Sequence, residues 1–178
     1  MPGKHYLLLL ACSLLLFGCR DFALTDIPEQ TQGLAPVYLP LDWQDVKTEP
    51  EKTMSTPVQV IRREGYLFVL DDRKGIHLID HTQADVLNKI GFLKVPGCKK
   101  MALHGTHFYV NNFQDLLIFE IGPGAAFTLK KRLGNAFEMD FDSNFPSHHR
   151  GFFECVDDER GPVIDWEDAL LLSPECWR

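Results

Sequence analysis

The chain carries little positive charge. Its 178 residues include 18 Lys and Arg against 25 Asp and Glu, which gives a formal net charge of -7. Nucleic-acid binding needs a basic surface that meets phosphates, and charge-driven attachment to anionic lipid also depends on Lys and Arg. We therefore expect no nucleic-acid partner and no membrane attachment by charge alone.

Motifs that build catalytic or metal sites are also missing. The sequence contains no Cys-x-x-Cys pair, no Gly-x-Ser-x-Gly turn, no glycine-rich phosphate loop and no Asp-x-Asp-x-Asp-Gly calcium loop. His104 and His107 need not share a face, and the adjacent His148 and His149 point to opposite sides if extended. We predict no catalytic residue, no cofactor and no metal site, and we do not expect an enzyme.

The first 18 residues have the three parts of an export signal. Lys4 lies in a short charged region, an apolar run follows at 6–17, and a small residue precedes Cys19. That run is shorter than the roughly 20 residues of a membrane-spanning helix. The run Leu16-Phe17-Gly18-Cys19 resembles the lipobox of bacterial lipoproteins, although Phe17 is an unusual occupant of its position. The resemblance implies a cleaved signal peptide at 1–18 and a lipid on Cys19; the alternative is a plain signal peptide with an incidental cysteine.

Export changes how the other cysteines are interpreted, because an oxidising envelope permits disulfides. Cys98, Cys155 and Cys176 remain after removal of the signal and lipidation of Cys19, so at most one internal bridge forms. We predict a Cys155–Cys176 disulfide, since both residues lie in the C-terminal unit and the chain between them can fold back. The alternative is three free thiols.

Cys98 is then left free. Lys99 and Lys100 follow it, and neighbouring cations can lower the pKa of a thiol. We favour the other interpretation, in which Cys98 packs as a small hydrophobic residue.

Residues 19–56 read as a tether between the lipid and the folded part. They are polar, lack a sustained apolar period and contain four prolines, Pro28, Pro36, Pro40 and Pro50. The run at 37–39 could pack on the domain as an edge strand.

A β-rich repeat occupies 57–133. Short runs rich in Val, Ile, Tyr and Phe alternate with turn residues, as strands do. Gly65 and Gly105 open similar runs 40 positions apart, and 75–80 aligns with 115–120 at the same offset. We therefore expect two equivalent sheets, with burial at matching positions, namely Ile76, Leu78, Leu116 and Ile118.

The residues of this repeat also resemble a family. Gly-Tyr-Leu-Phe-Val at 65–69, the acidic turn after it, Gly-Ile-His-Leu-Ile-Asp at 75–80 and Val-Pro-Gly at 95–97 resemble the LVIVD-type repeat of bacterial β-propeller proteins. They are similar, more narrowly, to propeller-like lipoproteins of Bacteroidetes. The resemblance implies an all-β fold of blade-like antiparallel sheets in the cell envelope, and it brings no catalytic residues.

The propeller is expected to be incomplete. A closed ring needs at least four blades of about 40 residues, and only two are clear here. Residues 134–178 are expected to form a C-terminal β unit, with a hairpin of 151–156 and 163–166 and a helical turn at 166–172. The resemblance thus implies a shortened member of that family or a truncated reading frame, and the remaining alternative is a compact β-fold that uses blade-like sheets without closing a ring.

These observations favour a lipid-anchored envelope lipoprotein with a binding or scaffolding role. We expect attachment to the outer membrane rather than the inner one, through the lipid on Cys19. Loops 71–74, 111–114 and 143–150 would recognise an envelope protein or a glycan. An exposed sheet edge would favour self-association. The alternatives are an envelope hydrolase with a site on the loop face and a non-functional fragment of a longer propeller.

Overall fold

The computed structural model describes residues 27–83, 85–138 and 144–178. The expected signal peptide at 1–18 and the expected lipidation site Cys19 lie outside this part. The fold is all-β, with thirteen strands in three sheets, and none of the sheets closes on itself within the described residues. No helix in the same residues is long and apolar enough to cross a membrane.

The first sheet follows chain order. Four successive antiparallel strands form it, and a short strand from earlier in the chain joins its outer edge beside the last of the four. Its hairpins turn at residues that adopt positive φ, such as Gly65 at +82°. The strands are β2 (Lys47–Glu49), β3 (Pro57–Arg63), β4 (Tyr66–Asp71), β5 (Gly75–Asp80) and β6 (Asn88–Lys94).

The second sheet repeats this arrangement. Its four strands are also antiparallel in chain order. They are β7 (Met101–His104), β8 (His107–Asn112), β9 (Asp115–Ile121) and β10 (Phe127–Leu133). A short 3-10 turn, Pro123–Ala125, joins the last two.

The main core lies between these two sheets. The rings of Phe68 and Phe108 meet there at 5.5 Å between centroids, and Phe127 packs edge-on against both. The edge strands β3 and β7 are linked by the Gln59 side chain, which donates to the Met101 carbonyl at 2.9 Å and accepts from the Met101 amide at 3.1 Å. The two sheets are therefore joined by both apolar packing and a polar bridge.

The two sheets repeat each other, but the sequence offset between equivalent residues changes at the turn between β8 and β9. Leu70 and Ile76 are cross-strand partners in the core of the first sheet, and Val110 and Leu117 hold the same places in the second. The offset is thus 40 residues before the turn and 41 after it. Since successive side chains of a strand alternate between faces, one extra residue turns the whole strand over.

The expected burial of Leu116 and Ile118 is therefore wrong. Both side chains are only half-buried, whereas their neighbours Leu117 and Phe119 are 0% and 3% exposed. The expected burial of Ile76 and Leu78 is confirmed.

The third sheet combines the two ends of the described chain. Its order is β12-β1-β11-β13, built from β1 (Gln30–Tyr38), β11 (Phe152–Phe153), β12 (Val163–Leu172) and β13 (Cys176–Trp177). β1 lies antiparallel to β12 along its whole length and parallel to β11. Gly33 permits this close packing, because a Cβ atom there would collide with the Phe152 carbonyl oxygen.

Three expectations for these segments differ from the structure. The range 19–56, expected as a tether, contains strands β1 and β2. The expected C-terminal hairpin does not form, because β1 lies between β11 and β12, and 166–172 is strand rather than a helical turn. Pairing along all nine residues of β1 gives β12 many more backbone hydrogen bonds than the two-residue β11 can offer.

The three cysteines of the described residues behave as expected. Cys155 and Cys176 form a disulfide with 5.3 Å between their Cα atoms, beside the paired strands β11 and β13. Cys98 is free and fully buried in the main core. Both predictions are confirmed.

Candidate binding sites

Two of the loops expected to recognise a partner meet at one end of the first two sheets. The β4–β5 turn is held by Arg73, whose amide donates to the Cys98 carbonyl at 2.7 Å and whose carbonyl accepts from the Gly97 amide at 2.8 Å. The side chain of Asn111 donates to the Gly97 carbonyl at 3.2 Å and accepts from the Lys99 amide at 2.8 Å. Loops 71–74 and 111–114 are thus both fixed to the connection between β6 and β7, which contains Gly97, Cys98 and Lys99. Loop 143–150 begins outside the described residues.

A buried carboxylate anchors the segment that precedes β3. Asp71 is 1% exposed and accepts from the amides of Ser55 and Thr56 and from the Ser55 hydroxyl, at 2.7–2.9 Å. The Nε2 atom of His77, also buried, lies 3.1 Å from the same carboxylate. Burial alone raises the pKa of Asp71, but the bonds from His77, Ser55 and Thr56 outweigh it and hold that pKa well below its usual range. Residues 50–56, called the strap below, are thereby tied to the first sheet.

This cluster contains serine, histidine and aspartate in an order that does not activate a nucleophile. In a hydrolytic triad the imidazole lies between the hydroxyl and the carboxylate and takes the hydroxyl proton. Here Asp71 lies between Ser55 and His77, and the Ser55 hydroxyl donates directly to the carboxylate. The arrangement supports a structural role.

The second sheet has its own polar cluster near the β8–β9 turn. One Nη atom of Arg132 donates at 2.7 Å both to the Asn112 amide oxygen and to Asp115, and the other donates to the Gln44 carbonyl at 3.0 Å. Asn112 also donates to the Trp43 carbonyl at 3.1 Å. These contacts hold the chain between β1 and β2 against the second sheet.

An apolar cleft lies on the face of the second sheet that points away from the core. Its volume is about 550 Å³. The sheet contributes Ala102, Tyr109 and Leu116, and Phe137 and Ile164 approach from two other parts of the chain. We call this cavity the apolar cleft.

The rim of the apolar cleft is polar. Lys99, Lys100 and Glu138 line it, and Lys99 is paired with Asp165 at 2.9 Å. Asn111, also in the lining, is engaged by the Lys99 and Lys100 amides at 2.8 Å and by the carbonyls of the neighbouring loops. A ligand would therefore find an apolar floor and a few charged groups at its edge.

The changed register explains why Leu116 belongs to this cleft. If the offset had stayed at 40 residues, Leu116 would face the core with Ile76 as its counterpart. The extra residue instead turns Leu116 to the outer face and places Leu117 in the core. The sequence pattern alone did not show this, because the run at 116–119 is apolar throughout.

A second cavity of about 240 Å³ opens near the β4–β5 turn. Four cationic side chains line it, and we call it the basic cavity. They are Lys52, Arg73, Lys74 and Lys94.

Two of the histidines considered as metal ligands lie side by side. His104 and His107 are cross-strand partners, so they share a face of the second sheet. Glu120 is the next partner along that row, but Lys130 occupies its carboxylate at 2.6 Å. No group of three or more His, Cys, Asp or Glu suited to a metal is found among 27–83, 85–138 and 144–178.

Cys98 is not activated by its lysine neighbours. Burial, together with the negative charge of Asp72, raises the pKa of its thiol to about 12. The thiol therefore stays protonated, and the packed interpretation is the correct one.

Comparisons of the chain with family models, with curated proteins and with solved structures gave no match.

Proposed function

We propose that this protein is a lipid-anchored envelope lipoprotein that binds a small, largely apolar molecule in the apolar cleft. The cleft is the observation that carries the binding role. Its volume of about 550 Å³ falls within the roughly 300–1,000 Å³ of ligand pockets, which combine apolar walls with a few polar groups. A rigid frame supports it, since Asn111 and the 95–99 connection hold each other by hydrogen bonds.

The propeller-like character is part of the same proposal. Two successive four-stranded antiparallel sheets packed on a common core support it, as does the resemblance of 65–97 to LVIVD-type repeats. Propeller blades place their connecting loops at the ends of a stiff frame. The cleft lies beside such an end, on the outer face of the second sheet, where residues from elsewhere in the chain complete it.

We propose a binding role rather than an enzyme. The hydroxyl of Ser55 donates to Asp71, which fixes the strap. The imidazole of His77 also bonds to Asp71, so it does not bond to the Ser55 hydroxyl. The alternative of an envelope hydrolase would need a base beside a nucleophile in a cleft.

Photolabelling tests the cleft. The purified lipoprotein is irradiated with a neutral aromatic diazirine, and the labelled peptides are then mapped. We expect labels on peptides that contain Tyr109, Leu116 or Phe137. Ala102→Trp should abolish this labelling, because Ala102 lines the cleft and a large ring there fills it. Ala126→Trp is the matched control, since Ala126 is exposed and outside the cleft.

The result can refute the proposal in two ways. Labels spread evenly over the surface would mean that the cleft has no preference for apolar molecules. Equal loss of labelling in both tryptophan variants would mean that the effect does not arise at the cleft.

Lipid attachment is tested separately. Cells fed an alkyne-bearing fatty acid should yield labelled protein in the membrane fraction, and Cys19→Ala should remove both the label and the membrane association. Persistent labelling of the variant would overturn the anchor.

A further inference from the structure

The basic cavity concentrates cationic side chains in a protein whose net charge is negative. The whole sequence carries a formal net charge of -7, yet four cationic side chains line one cavity of about 240 Å³. None of its lining residues belongs to the apolar cleft, so it is a separate site. Like charges repel one another, and such a cluster favours a bound anion.

Three fixed elements bring these side chains together. Lys52 comes from the strap, Arg73 and Lys74 from the β4–β5 turn, and Lys94 from the end of β6. The turn is held on both sides, because the Lys74 amide donates to the Asp71 carbonyl at 3.0 Å and the Lys74 carbonyl accepts from the Val95 amide at 3.1 Å. The backbone under the cations is therefore ordered before any ligand arrives.

The ionised carboxylate of Asp71 in the wall offsets one of the four positive charges but forms no salt bridge with any of the four cations. Both oxygens of Asp71 already accept bonds from Ser55, Thr56 and His77. Lys74 donates to the Ser55 hydroxyl at 2.7 Å and forms no salt bridge with a described residue. Its ammonium group is the cation most open to an incoming anion.

Each of the other three cations is already paired with a carboxylate, which an incoming anion would have to replace. Arg73 is paired with Asp72 at 3.0 Å and with Asp165 at 3.5 Å.

The two remaining lysines are held in the same way. Lys52 is paired with Glu49 at 2.5 Å and Lys94 with Asp42 at 2.8 Å, and the Asp42 side chain is 60% exposed. Surface pairs of this kind contribute little to stability. Lys52 also lies 5.1 Å above the Phe92 ring, which keeps its ammonium beside the cavity.

We propose that the basic cavity binds the oxyanion of a small molecule, a carboxylate or a phosphate group. Lysine ammonium groups and the planar guanidinium of Arg73 form short, charge-assisted bonds to such oxygens. Thr53 adds a hydroxyl to the lining. The protein thus carries a site for an anionic group in addition to the cleft for an apolar one.

Calorimetry on the purified lipoprotein tests this site. Inorganic phosphate and glucuronate are titrated separately at constant ionic strength, with glucose as the neutral probe. We expect at least one anion to bind, glucose not to bind, and Lys74→Gln to weaken binding by about tenfold, as loss of one charged hydrogen bond implies. Binding of phosphate alone assigns the site to phosphate esters, and binding of glucuronate alone assigns it to carboxylates.

Two further variants keep the test decisive. Lys52→Gln, at an exposed strap position that can change without disturbing the core, should weaken the same anion by a similar factor. Lys130→Gln is the matched control, because Lys130 is paired with Glu120 on another sheet. Absence of binding by both anions, or equal weakening by Lys130→Gln, would overturn the proposal.

Discussion

The first and second sheets share a strand order but differ in how their faces are covered. In β4 the four successive residues 68–71 are all buried, and five of the six residues of β5 are buried as well. In β8 and β9 buried and half-buried residues alternate. The central strands β4 and β5 of the first sheet are therefore covered on both faces, whereas the second sheet keeps one face partly open.

The strap accounts for part of this difference. It is bonded to Asp71 on the first sheet, and Lys52 extends over Phe92. On the second sheet the corresponding side bears Tyr109 and Leu116 and forms the floor of the apolar cleft. The same repeat unit thus becomes interior or binding surface according to what covers its outer side.

The largest expected effect is the loss of unfolding free energy when neighbouring residues of a strand in each sheet are replaced by alanine. Leu117→Ala should lower the free energy of unfolding by about 2–5 kcal/mol, whereas Leu116→Ala should cost on the order of 1 kcal/mol. In the first sheet Leu78→Ala and Ile79→Ala should both be costly, because both side chains are buried. Urea denaturation measures all four. Equal losses for Leu116 and Leu117 would contradict the 41-residue offset.

The disulfide sets the third sheet apart from the two sheets of the repeat. The double variant Cys155→Ser/Cys176→Ser should lose about 3 kcal/mol of stability, because the bridge restricts the unfolded chain. Thermal unfolding measures the loss. Peptide mapping without reductant should show 155 linked to 176, and Cys98 should resist alkylation until the protein unfolds. A linked peptide that contains Cys98 would refute the pairing.

The strap gives the first sheet a pH dependence through Asp71. The pKa of Asp71 is lower in the folded state than in the unfolded chain, where it is about 3.9. The ionised carboxylate therefore adds to the free energy of unfolding above that pH, and this contribution is lost as pH falls through the folded-state pKa. Asp71→Asn should therefore cost about 1–3 kcal/mol at pH 7. The difference from the native protein should shrink below about pH 4.

Glu51→Gln is the control for this measurement, since Glu51 lies in the strap but is exposed. Chemical denaturation at a series of pH values gives both curves. A difference between native protein and Asp71→Asn that stays constant down to the lowest pH would show that the charge of Asp71 does not hold the strap.

The smallest effect is expected at the open edge of the first sheet. Val58 and Val60 on edge strand β3 are 53% and 59% exposed, and unpaired edges with apolar side chains favour association between chains. Val60→Lys should reduce self-association in sedimentation experiments, whereas Leu87→Lys, at another exposed apolar position, should leave it unchanged. A native protein that stays monomeric at all concentrations would refute this expectation.

Local patterns predicted the strands of the repeat, because turns and strands depend on nearby residues. The disulfide was also predicted correctly, although the C-terminal hairpin expected around it does not form. Glycine at 65 and 105 marks the β-turns, and Cys155 and Cys176 lie in one unit. The register of β9 was missed because four apolar residues in a row, 116–119, do not reveal which of them face the core.

Long-range features left no such pattern. The pairing of β1 with β12 joins residues that are far apart in the sequence, and Pro36, with the other prolines of 19–56, made the strand resemble a linker. The apolar cleft combines Tyr109, Phe137 and Ile164 from separate elements. The side chains of the basic cavity come from the strap, a turn and β6, so only the folded chain brings them together.

The position of β1 between β11 and β12 also governs when this protein can finish folding. β1 leaves the ribosome early, but its pairing partners begin at Phe153 and extend to Leu172, more than 110 residues later. Contacts of such high sequence separation form slowly because a long loop must close first. We expect β1 to stay unpaired until β11 and β12 are available, so the beginning of the described chain becomes ordered only when the last strands arrive.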